Sequence, residues 1–168
     1  MRGKGINYDT GFSPGGRLSR EDFDPAIVRR EMQVIATRAP GESLLAAVRR
    51  DYADAVARGD VSLGLSSPAF ARMIQDAPAL ASRALEMLNQ REQALGDAIA
   101  AETGTDHPQQ RVVAALLVSV PRVLSAEAFR RSLAGQPRDE IRAVLAEQAA
   151  AAFDLLEPAL GDYLIRPA

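Results

Sequence analysis

The sequence contains no cysteine and no tryptophan, one histidine and one lysine. The missing cysteines exclude disulfides, thiolate metal sites and thiol nucleophiles together. With a single histidine, His107, a zinc site assembled from histidine and cysteine is excluded as well. A Ser-His-acid triad would have to be built around that one imidazole. Its place beside Pro108 reads instead as the first turn of a helix. No catalytic residue, metal site or cofactor is therefore expected, and the chain reads as a non-enzyme. No apolar run reaches the length of a membrane span. The basic start is not followed by the apolar stretch of a signal peptide. A cytoplasmic location without membrane contact is expected. The net charge is −2 with dispersed basic residues, so no basic face of the kind that binds nucleic acid stands out.

What is present is ordinary for a globular protein: 168 residues, 47% hydrophobic and 25% charged. That length suits one domain with a short appendage. The composition is divided. All 31 alanines lie at or beyond Ala26, whereas the first 25 residues hold five of the 12 glycines. The stretch from Gly5 to Phe12 reads as a short strand entering a turn, and Ser13-Pro14-Gly15-Gly16 continues as loop. One strand cannot satisfy its own backbone groups, so residues 1–20 are expected to be irregular, loosely held or paired with a partner chain. Glu21, Asp22 and Asp24 read as capping groups rather than as a metal or acid–base set, with Asp24 opening a helix over about 25–37. Pro40 disfavours helix at Ala39, and a boundary is placed there.

Beyond Pro40 the apolar residues recur at helical spacing throughout. Leu44, Leu45, Val48, Tyr52, Ala55 and Val56 define a helix over about 42–58, ended by Gly59. Phe70, Met73 and Ile74 mark a short helix over 67–76, capped by Ser67. Leu80, Ala84, Met87, Leu88, Leu95 and Ile99 mark a long one over 77–103, ended by Gly104. A broad apolar face runs over 107–134, opened by Asp106 and kinked or interrupted at Pro121. The last helix, over 137–157, carries Ile141, Val144, Leu145, Gln148, Ala152, Leu155 and Leu156, with Pro158 closing it. Tyr163, Leu164 and Ile165 then dock on a neighbour. Five helices with short connections and no strand pattern predict an all-α helical bundle.

Two resemblances attach to these segments. Gly5-Ile6-Asn7-Tyr8-Asp9-Thr10-Gly11, Ser19 to Pro25 and Val28 to Met32 resemble the opening of an actinobacterial TIM-barrel-like family of uncertain activity. The match stops near residue 36, and a barrel cannot close without its other strands. Pro40 to Arg50, Arg72-Met73-Ile74, Pro78-Ala79-Leu80, Ala84 to Met87 and Gln109 to Leu117 resemble, in order and spacing, the C-terminal regulatory domain of TetR-type repressors.

That second resemblance implies a TetR-like regulatory and dimerisation domain over 40–168 that takes a small apolar or amphipathic effector. Carried onto this chain, the effector residues would be Tyr52, Met73, Leu80, Met87, Leu88 and Leu117. The dimer interface would take Val113, Leu116, Val120, Leu145, Gln148, Ala152 and Leu155. The partner would be a second copy or a related regulator. The family's helix-turn-helix, however, is not recognisable in residues 1–39, so direct DNA binding is not expected. The competing reading is a structural or vestigial fusion product that dimerises without ligand or DNA. Residue by residue, alternatives stay open: Tyr52 as a surface aromatic, Met73 and Met87 as core, Arg83 and Arg91 as a solvated face rather than partners of an acidic ligand.

Overall fold

The computed structural model describes residues 25–167. The strand and turn expected at Gly5–Phe12, the irregular stretch 1–20 and the acidic set Glu21, Asp22 and Asp24 lie outside those residues. Within them the chain is all-α, a bundle of α1 (Pro25–Ala36), α2 (Leu44–Arg58), α3 (Pro68–Gln75), α4 (Pro78–Thr103), α5 (Pro108–Leu133) and α6 (Arg138–Leu160). One 3-10 turn, Val61–Leu63, joins α2 to α3.

Local chemistry sets the helix ends. Ser43 and Ser67 accept from the amides of Ala46 and Phe70 at 3.2 Å each, satisfying donors that the first turns of α2 and α3 leave unpaired. Gly59 and Gly104 end α2 and α4 in the left-handed conformation. At the start of α5 the cap position falls on His107 rather than on Asp106. The Gln110 side chain accepts from the His107 amide at 3.0 Å, and Asp106 takes Arg111 at 3.2 Å instead.

Helix α5 is the centre of the bundle. It packs against α4 and α6 on its flanks and touches α3, α2 and the 3-10 turn. It is long and apolar enough, by length and composition alone, to cross a membrane. The expectation that no such run exists is corrected. Its inward residues Val113, Leu117, Val118, Val120 and Leu124 are buried against the chain's own helices. Pro121 lies inside α5 and does not interrupt it. The ring is buried, and packing along both flanks holds the helix through the missing hydrogen bond. Pro158 likewise sits inside α6, which runs on to Leu160.

The bundle takes α1 in as a layer: it packs along α4 and touches α2. Arg30 pairs with Asp51 of α2 at 3.0 Å. The chain end returns to the same corner, where the amides of Gly41 and Arg166 donate to the carbonyls of Arg166 and Glu42 at 2.9 and 3.0 Å.

Three apolar faces differ from the expected ones. On α3 the buried side chain is Ala71, while Phe70 and Met73 are half exposed. On α4 the buried apolar side chains among the described residues are Ala94, Leu95, Ala98 and Ile99, and Leu80, Leu85 and Met87 face outward. On α6 the core line is Ile141, Leu145, Ala149, Phe153 and Leu160. The interleaved line through Gln148 and Leu155 is exposed, Leu155 to 82%. Periodicity marks an apolar helix side, but which line is covered depends on which neighbours arrive.

Candidate functional site

The six residues expected to receive an effector do not converge. Tyr52 is buried between α2 and α6, Leu117 is buried in the core, and Met73, Leu80 and Met87 are exposed on α3 and α4. Leu88 is half-buried on α4. Helix α1 packs along α4 and touches α2.

Two hollows exist elsewhere. A cleft of about 380 Å³ opens between α1 and α2, lined in part by Arg30, Arg50, Arg58 and Asp51. Two of these three arginines are paired in place: Arg30 with Asp51, and Arg50 with Glu42 at 2.9 Å. Those carboxylates offset most of the positive charge that an anion would need.

The second hollow is a groove of about 130 Å³ between α2 and α6. Ala53 and Val56 form its α2 wall, and Ala146, Ala149, Ala150 and Phe153 its α6 wall. Tyr52 also lines it. The Tyr52 ring meets Phe153 edge-on, with centroids 6.1 Å apart and planes at 62°, a favoured aromatic arrangement. At its rim Arg49 reaches Asp154 across the two helices at 2.7 Å. The groove exists because alanines line α6 on this side: side chains without γ atoms leave the space that larger ones would fill.

Tyr52 is the unusual group here. Only 3% of it is exposed, and its hydroxyl has no hydrogen-bond partner among the described residues. Buried tyrosine hydroxyls are almost always partnered. The same burial pushes the hydroxyl from its ordinary value near 10 up to about 12. A raised value for a group that is neutral when protonated means the unfolded chain gives up this proton first. Stability is therefore whole below pH 10 and is lost as pH rises from 10 to 12. The loss from Tyr52 alone should approach about 2 kcal/mol. Titration followed by tyrosinate absorbance should show a late step that Tyr52→Phe removes. Burial also raises Tyr163, so the comparison must be with the variant and not with free tyrosine.

The residues expected at a dimer interface divide in two. Val113, Val120 and Leu145 face into the chain's own core. They are corrected to folding residues, because a side chain already covered by its own helices offers no area to a partner. Leu116, Gln148 and Leu155 are exposed, and Ala152 is half-buried. Val112 and Val123, missed as interface candidates, are more than half exposed and share one line of α5 with Leu116.

No group of three or more acidic or histidine residues that could hold a metal ion occurs among the described residues. His107 is exposed at the helix start. No family model, curated protein or solved structure matches this chain.

Proposed function

We propose that the chain is a TetR-like, effector-binding and dimerising regulatory domain with no recognisable helix-turn-helix in its first 39 residues. The observation that carries the reading is the apolar surface of the last two long helices. Val112, Leu116 and Val123 form an exposed line on α5, and Leu155 an exposed site on α6, although the two helices pack closely together. Exposed apolar lines on paired helices mark partner surfaces more often than solvent faces. A pair of copies meeting through α5 and α6 would bury both lines in an intermolecular four-helix bundle. A stable dimer needs roughly 1,000 Å² or more of total buried area, a scale that two long helices per copy can supply.

In this reading the domain is cytoplasmic, is not an enzyme and does not bind DNA directly. A heterodimer with an intact relative would weaken that relative's DNA binding. The alternative, a dimerising structural or vestigial product that binds no effector, draws on the failure of Met73, Leu80, Met87 and Leu117 to converge.

Light scattering after size exclusion tests the dimer. The chain should elute at twice its monomer mass at micromolar concentration. The double variant Leu116→Arg/Leu155→Arg should be monomeric with unchanged helical circular dichroism, because both side chains project from the folded surface. A monomeric wild-type chain, or a variant that remains dimeric, overturns this placement. A specific mobility shift on the gene's own upstream DNA at physiological salt would overturn the absence of DNA binding.

A further inference from the structure

We propose that the C-terminal tail, residues 161–167, is a latch that fastens α1 to the bundle, so that tail and α1 open and close together as one unit less stable than the core. The inference concerns the single chain and stands whether or not two copies pair.

Helix α1 cannot hold itself. At 12 residues it is at the lower limit for a helix isolated in water, so its helicity depends on what it packs against. Among its described side chains the buried ones are Val34 and Ile35, in its last turn, while Met32 is exposed. An α-helix ends on carbonyls that have no partner within it. The residues that follow α1, Thr37-Arg38-Ala39, supply no glycine cap, and arginines serve instead. The Arg38 Nε donates to the Ile35 carbonyl at 3.0 Å. Arg166, 130 residues further along the chain, donates to the Ala36 carbonyl at 2.8 Å and also to the Arg38 carbonyl.

The tail is fastened at the same corner. The Gly41 amide donates to the Arg166 carbonyl and the Arg166 amide to the Glu42 carbonyl, a two-bond bridge between the tail and the connector from α1 to α2. The Leu44 amide donates to the Tyr163 carbonyl at 3.2 Å, so the tail also satisfies a first-turn donor of α2. Arg38 closes the circle by donating to the Leu164 carbonyl. Each part therefore holds the other: Arg166 caps the end of α1, and the arginine just past α1 holds the tail.

The closed latch is strained. Leu164 has φ of +50°, the left-handed region that residues with a side chain seldom adopt. Such a conformation persists only while its surroundings enforce it, here Arg38 at its carbonyl and the bridge at Arg166. Opening returns Leu164 to a relaxed backbone and so favours release. A partner that gripped the tail would free α1 without touching it.

Native-state hydrogen exchange on the full chain, read amide by amide, tests the coupling. In the wild type the helical amides of α1 and those of Gly41, Leu44 and Arg166 should share one opening equilibrium, at least about tenfold more populated than that of the α5 amides. Arg166→Ala removes an exposed guanidinium and leaves the backbone bridge in place. It should speed exchange in α1, at Gly41 and at Leu44 by a common factor of about ten, the equivalent of one hydrogen bond, with α5 unchanged. Val34→Ala acts from the other side and leaves every hydrogen bond of the tail in place. It should speed the Arg166 amide by the same factor as the α1 amides, because coupling between two parts is reciprocal. Three results overturn the latch: α1 amides that open only with α5 in the wild type, an Arg166→Ala chain whose α1 keeps its wild-type exchange, or a Val34→Ala chain in which α1 speeds up and the Arg166 amide does not.

Discussion

Replacing Gly64 with alanine should cost the fold about 3 kcal/mol, the sum of two separate penalties. The first is conformational. Gly64 has φ of +80°, a region where a Cβ atom meets the backbone. The second is steric. A Cβ at this position would lie 2.5 Å from the Ser125 carbonyl oxygen and 3.3 Å from its carbon. The obstacle is backbone of α5 and cannot turn aside as a flexible side chain would. Nor can the connector retreat, because Leu63 and Leu65 on either side are 4% and 1% exposed and anchor it in the core. Moving Gly64 outward would pull one or both from their sites, at a cost comparable to the clash. Urea unfolding should show a lower midpoint with an unchanged slope, the mark of a stability change without altered compactness. Gly41→Ala is the control. Its φ is +79°, yet nothing lies within 4 Å of the added atom, so it should lose about 1 kcal/mol from conformation alone. Equal losses at the two positions would show that the approach to Ser125 is not a constraint.

This contact marks the limit of what the linear pattern can express. Some helix ends were legible, because a cap is a local event: Ser67, Gly59 and Gly104 act within a few residues of themselves, whereas those placed at Asp106 and Pro158 moved. The all-α class was legible for the same reason, since apolar periodicity is visible in each segment alone. The connector at Leu63-Gly64-Leu65 meets α5 some sixty residues later in the chain, and no local signal announces that meeting. At Pro121 the expected interruption does not occur. Its local effect is disruptive, but tertiary packing on both flanks of α5 outweighs one absent hydrogen bond.

The candidate site was less legible still. The burial of Tyr52 depends on Phe153, and the two are joined only by the packing of α2 on α6. One signal was available. Ile141, Leu145, Ala149 and Phe153 recur at four-residue steps, which places them on a single helix line. The competing line through Val144, Gln148 and Leu155 has similar spacing but carries a glutamine in its middle. A polar residue centred on a presumed core line is a reason to prefer the other. The exposure of Leu80 and Met87 could not have been read this way, because apolar spacing does not say whether a neighbour covers the line.

The largest electrostatic effect is expected at Arg38, where removal of one side chain unties three parts of the chain. Arg38 follows α1 and is only 3% exposed. Its Nε donates to the Ile35 carbonyl at 3.0 Å. Its remaining nitrogens donate to the Leu164 carbonyl and to both carboxylate oxygens of Glu102 near the end of α4. Arg166 from the tail donates in turn to the carbonyls of Ala36, at 2.8 Å, and Arg38. A guanidinium suits this position because its fork of donors serves a carboxylate and two carbonyls at once. Arg38→Ala strands those acceptors around a buried space and should cost about 3 kcal/mol. The estimate sits at the low end for broken buried pairs because the Glu102 side chain is 30% exposed and can recover water. Arg38→Lys keeps the charge without the fork, and the loss should be about 2 kcal/mol. Glu102→Gln keeps an acceptor and should lose about 1 kcal/mol. The order of the three variants tests the geometry more sharply than any single value. Hydrogen exchange gives a second, local readout. The Gly41, Leu44 and Arg166 amides donate to Arg166, Tyr163 and Glu42 in the segment that Arg38 holds. Arg38→Ala should release these amides before the core of α5. If they stay protected in that variant, the tail is held by the docking of Tyr163 and Leu164 on the core, and the arginine knot is ornament rather than clasp.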